Sequence, residues 1–334
     1  MLLESREKPG EEAATRKAAI VTTMATPLMK AIQVHDYGEP DQLQLEEIPR
    51  PQPEEGEVLV RVYAAGVNPV DWKIRSGMMR AFRPSTFPYV PGADLSGVVE
   101  QVGAGVAGFQ SGQAVFGRGS RGTYAEYALV PAAALALKPK PLSFEEAATI
   151  PVGATTAWQG LFDQGNLQAG QRVLILGGAG GVGIFAVQFA RWKGAHVLST
   201  ASTANVEFAR SLGAEQVIDY TQTNVADKAR EVDLVFDTVG GAALESAWPT
   251  LKRGGLFVSI AGRPDEARAR ELGVRTASFS AQVNSDLLST FAHLIYEGQI
   301  KAVVGQTFPL SEAGKAQELS QKGHGRGRII LQIA

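Results

Sequence analysis

The sequence predicts an α/β protein in two parts, a largely β, barrel-like segment followed by a doubly wound parallel sheet. Three observations carry that expectation. Short alternating apolar stretches, separated by Pro- and Gly-rich turns, fill residues 29–129. From Val173 the pattern changes to apolar strands alternating with helical segments, six strands in all. At the change, residues 171–202 read as strand, glycine turn, helix, strand, joined through Gly178-Ala179-Gly180-Gly181-Val182-Gly183, a G-x-G-x-x-G.

In chain order, residues 1–28 mix Glu4, Glu7, Glu11 and Glu12 with Arg6, Lys8, Arg16 and Lys17 and lack apolar periodicity. No apolar run follows a basic start, so the segment is not a signal peptide, and its acids argue against a transit peptide. It reads as a disordered leader, with Met24 and Met29 as alternative starts. Strands are expected at 29–34, 43–48, 58–64, 97–102, 114–116 and 124–129, with turns at 49–57 and 103–112 between them. Short strands at that spacing suggest a barrel. Ser143-Phe144-Glu145-Glu146 is a capping box opening a short helix that ends before Pro151. Residues 153–162 look like the helix leading into the second part.

Val173-Leu174-Ile175-Leu176 is long enough for a buried strand and too short for a helix. A helix from Ile184 to Lys193 stops at Gly194, and His196-Val197-Leu198-Ser199-Thr200 is the next strand. Further strands are expected at 216–218, 232–236, 255–260 and 274–279. A helix at 285–298, a strand piece at 308–310, a helix at 312–321 and a last strand at 328–333 are read as returning to the first part.

Composition narrows the function classes. The 334 residues are 45% hydrophobic and 20% charged with a net charge of −2, an ordinary globular balance without the basic footprint of a nucleic-acid binder. No apolar run approaches a membrane span. There is no cysteine, so disulfides, thiolate metal sites and a Cys nucleophile are excluded, and a reducing, cytoplasmic setting is suited. His35, His196, His293 and His324 are scattered without metal-ligand spacing, and no metal is expected.

The glycine motif sits in the context that a dinucleotide fingerprint requires. One glycine makes the tight turn, the next leaves room for a pyrophosphate, and Gly183 lets helix and strand pack closely. The phosphates then face the positive end of a helix. An NAD site places an acid near the end of the second strand, but residues 199–206 read Ser-Thr-Ala-Ser-Thr-Ala-Asn-Val. Hydroxyls and an amide accept a 2′-phosphate that a carboxylate would repel, which favours NADP(H). No Lys or Arg stands among those residues; Arg210 is the nearest cation downstream. Ser202 or Thr203 can equally cap the following helix.

From Met29 to Ala334 the chain resembles the medium-chain dehydrogenase/reductase superfamily, in its zinc-free quinone oxidoreductase (zeta-crystallin-like) branch. The resemblance rests on Ala65-Gly66-Val67-Asn68-Pro69-Val70-Asp71, Pro91-Gly92-Ala93-Asp94-Leu95-Ser96-Gly97, Gly122-Thr123-Tyr124-Ala125-Glu126-Tyr127, the glycine turn, Val217-Ile218-Asp219-Tyr220 and Phe236-Asp237-Thr238-Val239-Gly240. It implies a GroES-like β-barrel catalytic domain split around a Rossmann domain: 29–153 and 284–334 for the former, 154–283 for the latter. Asn68 stands where zinc-dependent relatives carry a Cys ligand, and Gly92-Ala93-Asp94 replaces their Gly-His-Glu.

The resemblance further implies Asn68 and Asp71 beside the nicotinamide and substrate as catalytic residues, and Thr156 near the nicotinamide ribose or carboxamide. Gly178 and Ala179 belong to the turn whose Gly180, Gly181, Val182 and Gly183 hold the pyrophosphate. Ser202, Asn205 and Tyr220 surround the 2′-phosphate, Asn205 standing where many relatives have Lys. Val239, Ala261 and Phe279 line the cofactor groove, and Arg328 approaches it from the C-terminal segment. Read without the resemblance, Asn68-Pro69-Val70-Asp71 is a turn motif and Tyr220 an ordinary strand-end tyrosine. Tyr63, Tyr89, Tyr124 and Tyr127 are each open as proton donors or as packing residues.

The function expected is zinc-independent, NADPH-dependent hydride transfer to a quinone or an α,β-unsaturated carbonyl by a homodimer, without nucleic-acid or membrane partners. The alternatives are an enoyl-thioester reductase of fatty-acid or polyketide metabolism and a non-catalytic NADPH-binding sensor or crystallin-like protein.

Overall fold

The structure, a computed structural model, describes residues 26–323 and 325–334, so all but the last three residues of the expected leader lie outside it. β1 (Leu28–Gln33) and β2 (Gln44–Pro49) form an antiparallel pair. β3 (Glu57–Val67) is the axis of the barrel sheet and leads into α1 (Pro69–Arg75). There follow β4 (Asp94–Val102), β5 (Ala114–Arg118), β6 (Tyr127–Pro131), β7 (Leu135–Leu137) and α2 (Phe144–Ala148). α2 opens with the expected capping box, the Ser143 hydroxyl accepting from the Glu146 N–H and the Glu146 carboxylate accepting from the Ser143 N–H.

α3 (Pro151–Trp158) leads to β8 (Arg172–Leu176), α4 (Gly183–Trp192), β9 (His196–Ala201), α5 (Val206–Ser211), β10 (Gln216–Asp219), α6 (Val225–Lys228) and β11 (Val232–Asp237). α7 (Gly241–Ala247), β12 (Leu251–Ser259), α8 (Glu266–Leu272) and β13 (Arg275–Ser278) complete this half. Its six strands are all parallel in the order β10-β9-β8-β11-β12-β13. Chain direction across the sheet reverses between β8 and β11, and such a switch point opens a crevice at the strands' carboxyl ends. Val173 to Leu176 are fully buried, because helices cover both faces of the sheet. α4 is buried along its whole run from Gly183 to Ala190.

After α9 (Ser285–Tyr296) come β14 (Val304–Pro309), α10 (Ala313–Lys322) and β15 (Arg328–Gln332). β14 and β15 join the barrel sheet, whose order is β14-β15-β3-β4-β5-β7 with β6 also on β3. β3 pairs with β4 along most of its length, with β6 over its first half and with β15 over Ala64 to Val67. That last pairing carries the C-terminal segment into the crevice.

Two local differences from the sequence expectation have simple causes. The helix expected at 153–162 starts at Pro151, whose missing N–H costs nothing in a first turn, and loosens into a π-turn over Gln159–Gln164. There Gly160 lies against the Phe236 ring, where a Cβ would stand 2.4 Å away. β7 was not expected, since three residues are too few to show alternation.

Candidate active site

The site is set by strand register. Gly66 of β3 lies opposite Asp94 of β4, and Val67 lies opposite Ile329 of β15. Asn68, Asp94 and Arg328 are therefore brought to one point from three separate stretches. Arg328 Nη2 donates to Asn68 Oδ1 (2.9 Å) and pairs with Asp94 Oδ2, while Asn68 Nδ2 donates to the same Asp94 oxygen (3.0 Å). The Val152 N–H donates to Asp94 Oδ1 (2.8 Å). All three side chains are buried, Asp94 completely. Burial raises the Asp94 carboxyl above the ordinary range, against the downward pull of the Arg328 guanidinium, the Asn68 amide and the Val152 N–H. Arg328 Nε is buried without a partner, and a Cβ on Gly181 would meet Arg328 Cδ at 2.8 Å, so the guanidinium stem lies against the glycine turn.

Asp71 is the third residue of α1. Its Oδ2 accepts from the Asn68 N–H (2.8 Å), closing a capping box, and from the Tyr124 hydroxyl (2.9 Å). The turn chemistry of Asn68-Pro69-Val70-Asp71 and its place beside the cleft are thus both realised. Burial lifts the Asp71 carboxyl to about 7, outweighing these two donors. An acid whose folded pKa lies above its unfolded value holds its proton more tightly when folded. Stability is therefore lost as pH climbs from about 4 to about 7, by roughly 4 kcal/mol across that window. Asp71→Asn retains an oxygen for both donors, so its thermal midpoint is expected to vary less with pH and to exceed the wild type's by most at pH 8. Parallel curves for the two proteins between pH 5 and 8 would count against this account.

At the carboxyl end of β8 the glycines divide their work. A Cβ on Gly183 would lie 2.0 Å from Gly177 O, and one on Gly178 would lie 2.0 Å from Ser199 Oγ. Neither faces the cleft; they let α4 and β9 close on the turn. Gly180 has nothing nearer than 3.4 Å, and Ala179, Gly180, Gly181 and Val182 line the cleft, Gly181 with the Arg328 side chain against it. The open side faces the amino end of α4, where the helix dipole is positive; the Ile184 and Phe185 N–H groups there already donate to Gly180 O (3.0 Å) and Val182 O (3.1 Å), so the turn ahead of them supplies the contact surface. This cradle fits a diphosphate.

At the end of β9, Asn205 is buried and its Nδ2 donates to Ser202 Oγ (3.1 Å). Asp219, at the end of neighbouring β10, is occupied by the Thr203 and Thr221 hydroxyls at 2.6 and 2.7 Å, which hold its carboxyl below the usual range. Tyr220 is partly exposed at the same edge. Thr156 donates to Val152 O (2.6 Å) on α3. Asn68, Asp71, Thr156, Ser202, Asn205, Tyr220, Val239, Ala261, Phe279 and Arg328 all line one cleft of about 2720 Å³, together with Ala179 to Val182. That volume is several times an ordinary ligand pocket and admits a dinucleotide with a second ligand beside it.

Sequence reading missed the Asp94–Arg328 pair, the Tyr124 bond to Asp71 and the approach of Arg326 to the same cleft. The signal available was the pair of arginines in Arg326-Gly327-Arg328; a regular extended chain would put both side chains on one face, and Gly327, at φ +69°, breaks that alternation.

Residues 54–140 match the family described as alcohol dehydrogenase GroES-like domain, and residues 212–331 the one described as zinc-binding dehydrogenase. The chain is 37% identical over 317 residues to the NADPH-dependent alkenal/one oxidoreductase, chloroplastic, of Arabidopsis thaliana, covering 91% of this chain and 79% of that protein. Among solved structures it is similar to the quinone oxidoreductase from Coxiella burnetii, with 33% identity, a TM-score of 0.85, and 92% of this chain and 100% of that one covered. A mycobacterial protein complexed with NADPH is 29% identical at a TM-score of 0.83, over 91% and 99% of the two chains.

The zinc in one of these descriptions does not fit the residues present. Ala93 offers no donor, and Asn68 Oδ1 and Asp94 Oδ2 are already held by a guanidinium. Among the described residues no three His, Cys, Asp or Glu side chains are grouped to hold a metal ion, and no helix is long and apolar enough to cross a membrane.

Proposed function

The chain belongs to the medium-chain dehydrogenase/reductase superfamily, in its zinc-free quinone oxidoreductase type, and from that premise we propose that it reduces quinones or α,β-unsaturated carbonyls with NADPH. One observation carries the reading. The phosphate-accommodating turn, Asn68 and Arg328 line a single cleft, with Arg328 lying against Gly181 and held on the buried Asp94 behind it.

Ala179 to Val182 and the start of α4 would hold the diphosphate, Ser202, Asn205 and Tyr220 the 2′-phosphate end, and Thr156, Val239, Ala261 and Phe279 the rest of the cofactor. Bound NADPH supplies the hydride. Asn68 has one amide hydrogen on Asp94 and a second one uncommitted, which is placed to donate to the acceptor's carbonyl oxygen as negative charge develops there. Asp94 and Arg328 grip both ends of that amide and fix which atom points where. Met79, Phe82, Val90 and Phe279 give the cleft apolar walls that keep water from the reacting atoms.

We assign 29–153 and 284–334 to the catalytic unit and 154–283 to cofactor binding, a division supported by the sheets that β14 and β15 join. A cytoplasmic homodimer completes the proposal, supported by the cysteine-free composition and by the open edge of β13.

The test is NADPH consumption over quinones, enones and saturated aldehydes, with NADH in parallel and with a strong chelator present or absent. Turnover of the first two classes, unchanged by the chelator, is expected. Tight NADPH binding without oxidation of any acceptor would instead favour a non-catalytic binding protein.

A further inference from the structure

The edge of the cleft that meets the adenosine end of the cofactor lacks a cation of its own in chain order. Residues 199–206 carry none, and the buried Asn205 spends its amide on Ser202. The fold supplies one from elsewhere. Arg326 lines the same cleft, and its Cζ stands 5.0 Å above the ring of Phe208. Phe208 is three residues beyond Asn205, so the two project from neighbouring positions where α5 begins. An arginine seated on an aromatic ring there keeps its guanidinium edge free for a second partner.

The segment that delivers it is pinned. The Gly327 N–H donates to Ala179 O in the glycine turn (2.9 Å), and Arg328 is locked into the Asn68–Asp94 pair. A Cβ on Gly305 of β14 would lie 1.9 Å from Arg326 O, so the strand beside it also approaches as closely as a glycine permits. With the break at Gly327 (φ +69°), two arginines only two residues apart reach different partners: Arg328 reaches Asn68, and Arg326 the Phe208 ring of α5. Among the described residues Arg326 has no carboxylate partner to neutralise it.

We propose that Arg326 is the residue that distinguishes NADPH from NADH, its guanidinium taking the 2′-phosphate together with Ser202, Asn205 and Tyr220. The proposal rests on the NADP(H) reading and deepens it. A guanidinium accepts a phosphate through two parallel N–H donors, and a phosphate near pH 8 is close to doubly charged, so the cation's loss is felt in the phosphate alone.

The experiment uses two adenosine fragments that undergo no reaction, 2′,5′-ADP and 5′-AMP, titrated calorimetrically into the full-length protein at pH 8. Wild type is expected to bind 2′,5′-ADP at least tenfold more tightly than 5′-AMP. Arg326→Gln should erase most of that ratio while leaving 5′-AMP affinity within twofold, which also reports an intact fold. Arg326→Lys, keeping the charge, should retain part of the preference. Raising salt from 50 to 300 mM should weaken 2′,5′-ADP binding to wild type and barely affect Arg326→Gln. A preference that persists in Arg326→Gln would overturn the proposal and leave the discrimination to Ser202, Asn205 and Tyr220. Equal affinity of wild type for both fragments would overturn it too, and with it the NADP(H) reading. A collapse of 5′-AMP binding in both variants would overturn it by making Arg326 a structural residue.

Discussion

Arg328→Ala is expected to destabilise the protein by about 3–5 kcal/mol at neutral pH, the scale of a buried ion pair broken from one side. The side chain is 3% exposed and its partner Asp94 is 0% exposed, so removal leaves a carboxylate with no water to turn to. Only the Asn68 amide and the Val152 N–H would remain to it. The carboxyl, already raised by burial, would rise further once the guanidinium no longer opposes it. The sign follows from that direction. A carboxyl with a raised folded pKa costs nothing below its unfolded value and progressively more as pH passes above it. The Arg328→Ala defect should therefore be smaller at pH 5 than at pH 8. Adding Asp94→Asn to Arg328→Ala should recover more than half of the loss, because the stranded charge is then gone. Thermal denaturation of the four proteins of this cycle at both pH values measures it, and a double variant no more stable than Arg328→Ala would refute the ion-pair account. Turnover should fall in both variants that carry Arg328→Ala, since Asn68 there loses the donor on its oxygen.

Gly183→Ala should weaken both cofactor binding and the fold, whereas Gly180→Ala should weaken binding alone. The two glycines are three residues apart in one turn and differ in what surrounds them. A methyl at 183 would sit 2.0 Å from the carbonyl oxygen of Gly177 and 2.8 Å from the Gly178 Cα. Both obstacles are backbone and cannot rotate away, so α4 must shift from the end of β8. Forced overpacking of this kind costs about 1–3 kcal/mol, and a backbone clash belongs at the upper end. A methyl at 180 meets nothing closer than 3.4 Å, and its space is the cleft itself. Its expected effect is a loss of NADPH affinity of 100-fold or so, about 2.7 kcal/mol, with an unchanged thermal midpoint in the absence of cofactor. Fluorescence titration with NADPH beside apo-protein melting separates the cases. Equal melting points for Gly183→Ala and Gly180→Ala would show that the close packing at 183 is dispensable.

Much of this was legible in the residues themselves, for local reasons. A G-x-G-x-x-G after a four-residue apolar strand and before a helix needs only neighbours in sequence to be understood. The same holds for the capping box at Ser143 and for the alternation of strands and helices after Val173. The absence of an acid at 199–206 is also a local fact, and in the fold the nearby Asp219 is spent on Thr203 and Thr221. Zinc ligation is excluded by residue type alone at Asn68 and Ala93. Asn68 and Arg328 could be named as site residues, but nothing in the chain says that they touch.

That contact is decided by register, and register belongs to the tertiary structure. Residues 68, 94 and 328 meet because β4 and β15 lie on opposite edges of β3, with the partners of Gly66 and Val67 fixed by which faces the barrel buries. A shift of one residue would turn Arg328 to the other side of its strand and leave Asp94 alone. The same argument covers Asp71, whose carboxyl departs from an ordinary aspartate because the fold buries it, against the opposing hydrogen bond from the Tyr124 hydroxyl. The residue types and the cofactor turn were therefore determined by the sequence alone. Which buried charges face one another was decided by strand pairing across up to 260 residues of chain, and desolvation gives those pairings their energetic weight.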